Sequence, residues 1–268
     1  MRRRGRLGCA ALVVVLLAGV LFLGGWWGPS GFGKDVDFVV PRGATLSTVA
    51  DKLHKEKVVS STSRFLLWAK VFGSHDPIKA GEFRLPAHSS WASILDTLQH
   101  GKPIRRMVTI PEGMPSIMVA ERLLAEPLLK GPVAAPPEGS VLPQTYDFER
   151  GETRAAVLAR MQAAMSKTLA ALWPKRQLRS CPLATPADAV TLASIVEKET
   201  AKPAERPIVA GVYCNRLRIG MKLDADPTVI YPITKGKPLG RRILESELHA
   251  LTGYNTYEEP GLPKGPIT

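Results

Sequence analysis

At 268 residues and 45% hydrophobic content, the chain is long enough to bury a sizeable core spread over more than one domain. Lys and Arg number 36 against 24 Asp and Glu, a net charge of +12 at pH 7. The basic residues are dispersed and interleave with no aromatic–basic module, which argues against a nucleic-acid partner. None of the five histidines (His54, His75, His88, His100, His249) falls at metal-ligand spacing, so neither a metal nor another cofactor is implied.

Residues 7–27 read LGCAALVVVLLAGVLFLGGWW, without charge or proline. About 20 apolar residues are what a helix needs to cross a hydrocarbon core. Arg2, Arg3, Arg4 and Arg6 in front place residues 1–6 in the cytoplasm, and Trp26 and Trp27 suit the far interface. The rival reading, a cleaved signal peptide, calls for a shorter apolar core ending in small residues. Cys9 lies at the start of the apolar stretch instead of following it, which argues against a lipoprotein. The expectation is a single-pass anchor, with everything beyond it extracytoplasmic. Cys181 and Cys214 then face an oxidising compartment, where a disulfide and two buried thiols both stay open.

Residues 28–35 read as a Gly/Pro/Ser linker, and residues 36–107 as a small mixed domain. Strand character at residues 37–40 is followed by a helix starting near Thr45, with Val49 and Leu53 on one face, and a second apolar helix at residues 65–72. The AGEFRL run at residues 80–85 alternates like a strand, and residues 90–100 form a helix that stops at Gly101. Such a module binds a ligand or merely spaces the next domain from the membrane. The second domain covers residues 108–268. A strand at residues 106–110 leads into Pro111, Glu112 and Gly113, then a helix through Val119, Leu123 and Leu124. A proline-rich loop occupies residues 132–139, and residues 153–173 show helical periodicity. The fold class is α+β.

The stretch TPADAVTLASIVEKETA, residues 185–201, is the most informative. Thr185 can cap a helix, Pro186 fits its first position, and Asp188 closes a capping-box-like arrangement. At 100° per residue, Leu192, Ile195 and Val196 define an apolar face. Glu199 falls on that side, Glu197 towards its edge, and Lys198 away from it. A carboxyl on an apolar side loses water, which favours the protonated state that a general acid needs. The bland alternative for Glu199 is a cap or an ion pair with Arg206.

Several segments resemble the endolytic murein transglycosylase family (MltG/YceG-like). They are ASIVEKETA at residues 193–201, Glu205 with Arg206, NRLRIGMKL at 215–223, DPTVIY at 226–231, YNTY at 254–257 and GLP at 261–263. Pro111, Glu112 and Gly113, the PEG and LP-TY elements of residues 137–146, and the anchor with its small domain extend the likeness. The resemblance implies an inner (plasma) membrane enzyme, with a LysM-like domain before its catalytic domain. That enzyme cuts nascent peptidoglycan glycan strands between N-acetylmuramic acid and N-acetylglucosamine, leaving 1,6-anhydro ends and ending elongation. Glycan strands are then the substrate, and peptidoglycan synthases are candidate protein partners. The family's catalytic glutamate falls on Glu199. Asn215, Asp226, Tyr254, Asn255 and Tyr257 become sugar-contacting or Glu199-orienting candidates, against turn formation for Asp226 and packing for the tyrosines. Arg216 and Arg218 meet peptide carboxylates or form a solvated face. Members of the family run on beyond the segment matching residues 261–267. The catalytic domain is therefore expected to be cut short here, and a non-catalytic, membrane-anchored wall-binding or scaffold protein is the alternative function.

Overall fold

The computed structural model describes residues 26–177 and 181–268. The chain divides into two compact units, Met1–Arg105 and Arg106–Thr268, each mixing helices with a two-stranded antiparallel sheet. The architecture is α+β. The membrane segment expected at residues 7–27 lies outside the described residues, apart from Trp26 and Trp27. Among the described residues no helix is long and apolar enough to cross a membrane.

The first unit runs β1 (Val36–Val40), α1 (Leu46–Lys55), α2 (Thr62–Phe72), β2 (Gly81–Leu85) and α3 (Trp91–His100). Each helix opens on a side-chain oxygen that accepts an otherwise unpaired backbone N–H: Thr45 from Thr48, Ser61 from Arg64 and Ser90 from Ser93. Strands β1 and β2 pair from Val36 opposite Leu85 to Val40 opposite Gly81. Phe38, Val40, Phe83 and Leu85 pack with Val49, Leu53, Phe65, Ile94 and Leu98 in one apolar core.

Two expectations for the N-terminal side need correction. Residues 28–35 are not a free linker, because Ser30 and Phe32 are buried and the His88 N–H donates to the Phe32 carbonyl at 3.0 Å. Trp26 does not sit at an interface with lipid. It is 2% exposed in the core, its ring 6.3 Å from that of Phe65, while Trp27 stays 58% exposed. A two-stranded sheet under three short helices leaves apolar surface uncovered, and Trp26 and Phe32 supply the missing area.

The second unit runs β3 (Arg106–Thr109), α4 (Ser116–Ala125), β4 (Thr145–Phe148), α5 (Arg154–Leu172), α6 (Pro186–Glu199), α7 (Arg206–Arg218), α8 (Asp226–Thr234) and the short α9 (Glu245–Leu248). Strand β4 pairs with β3, from Arg106 opposite Phe148 to Thr109 opposite Thr145. Val108, Tyr146 and Phe148 turn inward against Val119, Leu123, Val157 and Met161. Arg154 spans the end of α4, donating to the carbonyls of Leu123, Leu124 and Glu126 and so satisfying acceptors the helix leaves open. A second core gathers Leu192, Ile195 and Val196 of α6 with Tyr213 and Cys214 of α7, then Leu223, Ala225, Tyr231 and Ile267. Of the two states left open for the cysteines, the structure has the disulfide, Cys181 to Cys214.

Candidate active site

Helix α6 carries the site, and its start is fixed locally. The Thr185 side chain accepts from the Asp188 N–H while the Asp188 carboxylate accepts from the Thr185 N–H at 2.8 Å, a complete capping box with Pro186 in the first turn. Leu192, Ile195 and Val196 then hold the helix to the core, which sets where residues 197–199 point.

Glu197 and Lys198 face the turn after β3. Arg206 Nη2 lies 2.9 Å from Glu197 and its Nη1 3.1 Å from Glu112, so one guanidinium ties the two carboxylates together. Burial raises the Glu197 pKa above its ordinary value, Arg206 pulls it down and Glu112 pushes it up. Lys198, expected to project outward, instead donates to the Gly113 carbonyl at 2.7 Å, and burial lowers its pKa. The turn over it can come this close because Gly113 adopts φ +68°, and a Cβ there would lie 3.2 Å from Glu197 Cγ. Two cavities flank this side of α6. One of about 230 Å³ is lined by Glu112, Glu197 and Arg206, and one of about 440 Å³ by Lys198, Tyr231 and Lys237. Glu199 lines neither of them.

Glu199 is exposed, which corrects the expected desolvation by the apolar face. It is the last residue of α6, one turn beyond Ile195, where the core packing ends and the helix opens to solvent. The alternative, an ion pair with Arg206, is not what the structure has, since that guanidinium is held by Glu197 and Glu112. What Glu199 meets is Tyr213 of α7. Tyr213 is buried, and its pKa is raised by burial first and by the nearby Glu199 charge second. The phenol therefore stays neutral and keeps a proton to donate.

Beside this pair sits a second one. The Tyr257 hydroxyl donates to the Asp226 carboxylate at 2.7 Å, and its pKa is pushed up to about 12 by that bond, then by burial, with Asp224 and Glu199 adding repulsion. A buried threonine pair holds the two halves together. Thr228 Oγ1 lies 2.9 Å from Thr256 Oγ1, and Thr256 Oγ1 accepts from the Ala225 N–H at 3.0 Å. That lock places residue 257 against the first turn of α8. Arg216 binds Asp224, 3.3 Å away, and the Leu223 carbonyl, steadying the turn between α7 and α8.

Of the residues singled out from sequence, Glu199, Arg216, Asp226 and Tyr257 thus come together. Asn215 is exposed on α7 and accepts from Arg218 at 2.7 Å. Tyr254 packs on Tyr231, ring centroids 4.8 Å apart, nearer the larger cavity. Asn255 is 0% exposed, its amide donating to the Leu248 and Ala250 carbonyls and its oxygen accepting from the Tyr257 N–H. Burial makes it a loop-holding residue, not one that touches a ligand. Tyr213 escaped notice in the sequence. It reads as one more apolar position of α7, and only the approach of α6 reveals its hydroxyl. No group of His, Cys, Asp and Glu able to hold a metal occurs among the described residues.

A family model described as "YceG-like family" matches residues 38–268. The chain belongs to the YceG-like family. Among curated relatives it is 28% identical over 282 residues to the endolytic murein transglycosylase of Streptococcus pneumoniae serotype 2, covering 87% of this chain and 50% of that protein. It is 25% identical over 264 residues to the endolytic murein transglycosylase of Bacillus subtilis strain 168, covering 87% of this chain and 72% of that one. This YceG-like chain therefore spans about half the length of the pneumococcal relative. Its fold is similar to the crystal structure of a YceG-like protein from Listeria monocytogenes, with TM-score 0.50 and 24% identity over 88% of this chain and 86% of that one.

Proposed function

We propose that the chain is an endolytic peptidoglycan lytic transglycosylase, cutting glycan strands between N-acetylmuramic acid and N-acetylglucosamine, with Glu199 as its acid and base. The observation that carries this reading is the exposed Glu199 carboxyl at the open end of α6, beside the buried Tyr213 and the Asp226–Tyr257 pair. The names of the curated relatives point the same way.

The chemistry needs one carboxyl. Glu199 gives its proton to the glycosidic oxygen as the bond from muramic C1 breaks, and the charge left on the carboxylate is met by the Tyr213 O–H. The muramic C6 hydroxyl then attacks C1, and Glu199 takes the hydroxyl proton, closing the 1,6-anhydro ring and returning the enzyme to its starting state. Glycosidases that use water or a covalent intermediate employ two carboxylates. Here the substrate supplies the nucleophile, and no water enters the product. In this reading Asp226 with Tyr257, Arg216 and Tyr254 contact sugars or peptide carboxylates, while Asn215 and Asn255 act on the surrounding loop and helix.

The reading extends to location. Residues 7–25 anchor the chain in the inner (plasma) membrane, residues 1–6 are cytoplasmic, and both units work outside, next to peptidoglycan and its synthases. The Cys181–Cys214 disulfide supports an oxidising compartment. The strand–helix–helix–strand order of the first unit supports a LysM-like, glycan-positioning domain. The test is mass spectrometry of products from purified glycan strands. Anhydro-muramic ends support the lyase. Reducing ends make the protein a hydrolase, and binding without cleavage makes it a wall-binding scaffold.

A further inference from the structure

Helix α2 of the first unit shows solvent a face that its core does not explain. Leu67 is 50% exposed, Val71 59% and Phe72 47%. Leu67 and Val71 are four residues apart and share one side of the helix. Trp27 continues the apolar surface, its ring 4.9 Å from that of Phe72, which in turn stacks on Trp68 at 5.4 Å. Arg64 and Lys70, both exposed, flank the stripe, and the helix sequence TSRFLLWAKVF contains no acidic residue.

We infer that this face of α2, with Trp27, rests on the phospholipid bilayer beside the anchor. Three observations select a bilayer as the occupant. The chain reaches the patch directly from the uncharged residues 7–25, and burial of Trp26 in the core fixes that exit point next to α2. The exposed side chains are aromatic and branched aliphatic, the kind that settles at the headgroup–acyl boundary. The flanking cations suit anionic headgroups and can extend their charged ends into them while their stems cover apolar surface. The first unit is then held at two places, by its anchor and by α2, and cannot swing freely above the membrane. This rests on the anchor proposed above.

The experiment reconstitutes the full chain in vesicles of phosphatidylglycerol and phosphatidylethanolamine, in a Cys9→Ser background that leaves the disulfide intact. A nitroxide is attached in turn through Leu67→Cys, Val71→Cys, Leu17→Cys and, as the solvent reference on α1, Lys55→Cys. Collision with oxygen and with a water-soluble nickel chelate is read by electron paramagnetic resonance. Two patch positions are used so that a folding failure in one leaves the other. The expected result is an oxygen-to-nickel accessibility ratio at positions 67 and 71 several-fold above that at 55 and approaching that at 17. If 67 and 71 match 55 while 17 reports lipid, the anchor stands and the α2 contact is refuted. If 67 and 71 are shielded from both reagents, protein covers the face and the bilayer contact is refuted. If 17 is itself open to nickel, the anchor fails and the proposal fails with it.

Discussion

The Glu199 carboxyl, on the last residue of α6, lies close enough to the buried Tyr213 of α7 for its charge to help raise the phenol's pKa. Burial and the neighbouring charge both keep the phenol neutral, so it remains a donor throughout the working pH range. Tyr213→Phe removes the donor while keeping the ring. If the phenol donates to the Glu199 carboxylate during turnover, such a hydrogen bond to a charged group is worth about 1.5–3 kcal/mol, so kcat should fall about 10- to 100-fold with KM little changed. Steady-state release of anhydro-muramic ends measures both, and a change in KM alone would make Tyr213 a binding residue.

Asp226 lies close enough to the site to pose as a second catalytic carboxylate, yet it accepts the Tyr257 hydroxyl at 2.7 Å. Asp226→Asn should weaken turnover or binding while leaving every product end anhydro. In heavy-oxygen water neither the native chain nor the variant should incorporate label. Label in the native product, lost in Asp226→Asn, would mean that Asp226 handles water and that the reaction is hydrolysis.

The Cys181–Cys214 bond joins the stretch before α6 to α7, across a sequence separation of 33. Loop-closure entropy over that length corresponds to roughly 3–4 kcal/mol. Cys214→Ser, or thiol reductant on the native chain, should lower the melting temperature of the second unit by several degrees. A melting curve unmoved by reductant would mean the link adds nothing to stability.

His100 is bracketed by Asp76, 2.9 Å from Nε2, and Asp96, 2.8 Å from Nδ1. The hydrogen bonds to Asp76 and Asp96 raise its pKa above the usual histidine value. A raised folded-state pKa stabilises the fold fully below the unfolded pKa of about 6.5, and that contribution is lost as pH rises through the folded value. Stability of the first unit should therefore decline as pH rises above about 6.5. His100→Gln should flatten the profile, with the ring titration followed by NMR. The ring is solvent-exposed, so the effect is small.

What could be read in the sequence was what neighbouring residues decide. The helix start at Thr45 and the Thr185–Asp188 capping box are contacts within a single turn, and the structure has both. Strand β4 stayed unassigned because four residues beside Pro143 carry little pattern alone, and the strand is defined by pairing with β3, 36 residues away across Thr109 and Thr145. The helical wheel put Glu199 on the apolar side and Lys198 away from it, and angle alone could not say what covers each direction. A glycine turn from residue 113 descends on Lys198, while Glu199 at the helix end stays exposed. Composition made residues 28–35 look like a linker, since Gly, Pro and Ser outnumber the one Phe32 that pins them.

The most direct test of the account is Glu199→Gln, assayed by mass spectrometry of the ends released from purified glycan strands, with circular dichroism to confirm the fold. The amide keeps the shape of the side chain and can neither give nor take the proton. Anhydro-end formation should drop by at least about 10²–10⁴-fold, because the same group serves both proton transfers. Glu197→Gln, which leaves Arg206 held by Glu112, should lose far less. Anhydro ends made by Glu199→Gln at a rate comparable to the native chain would contradict the assignment of Glu199 as the acid and base.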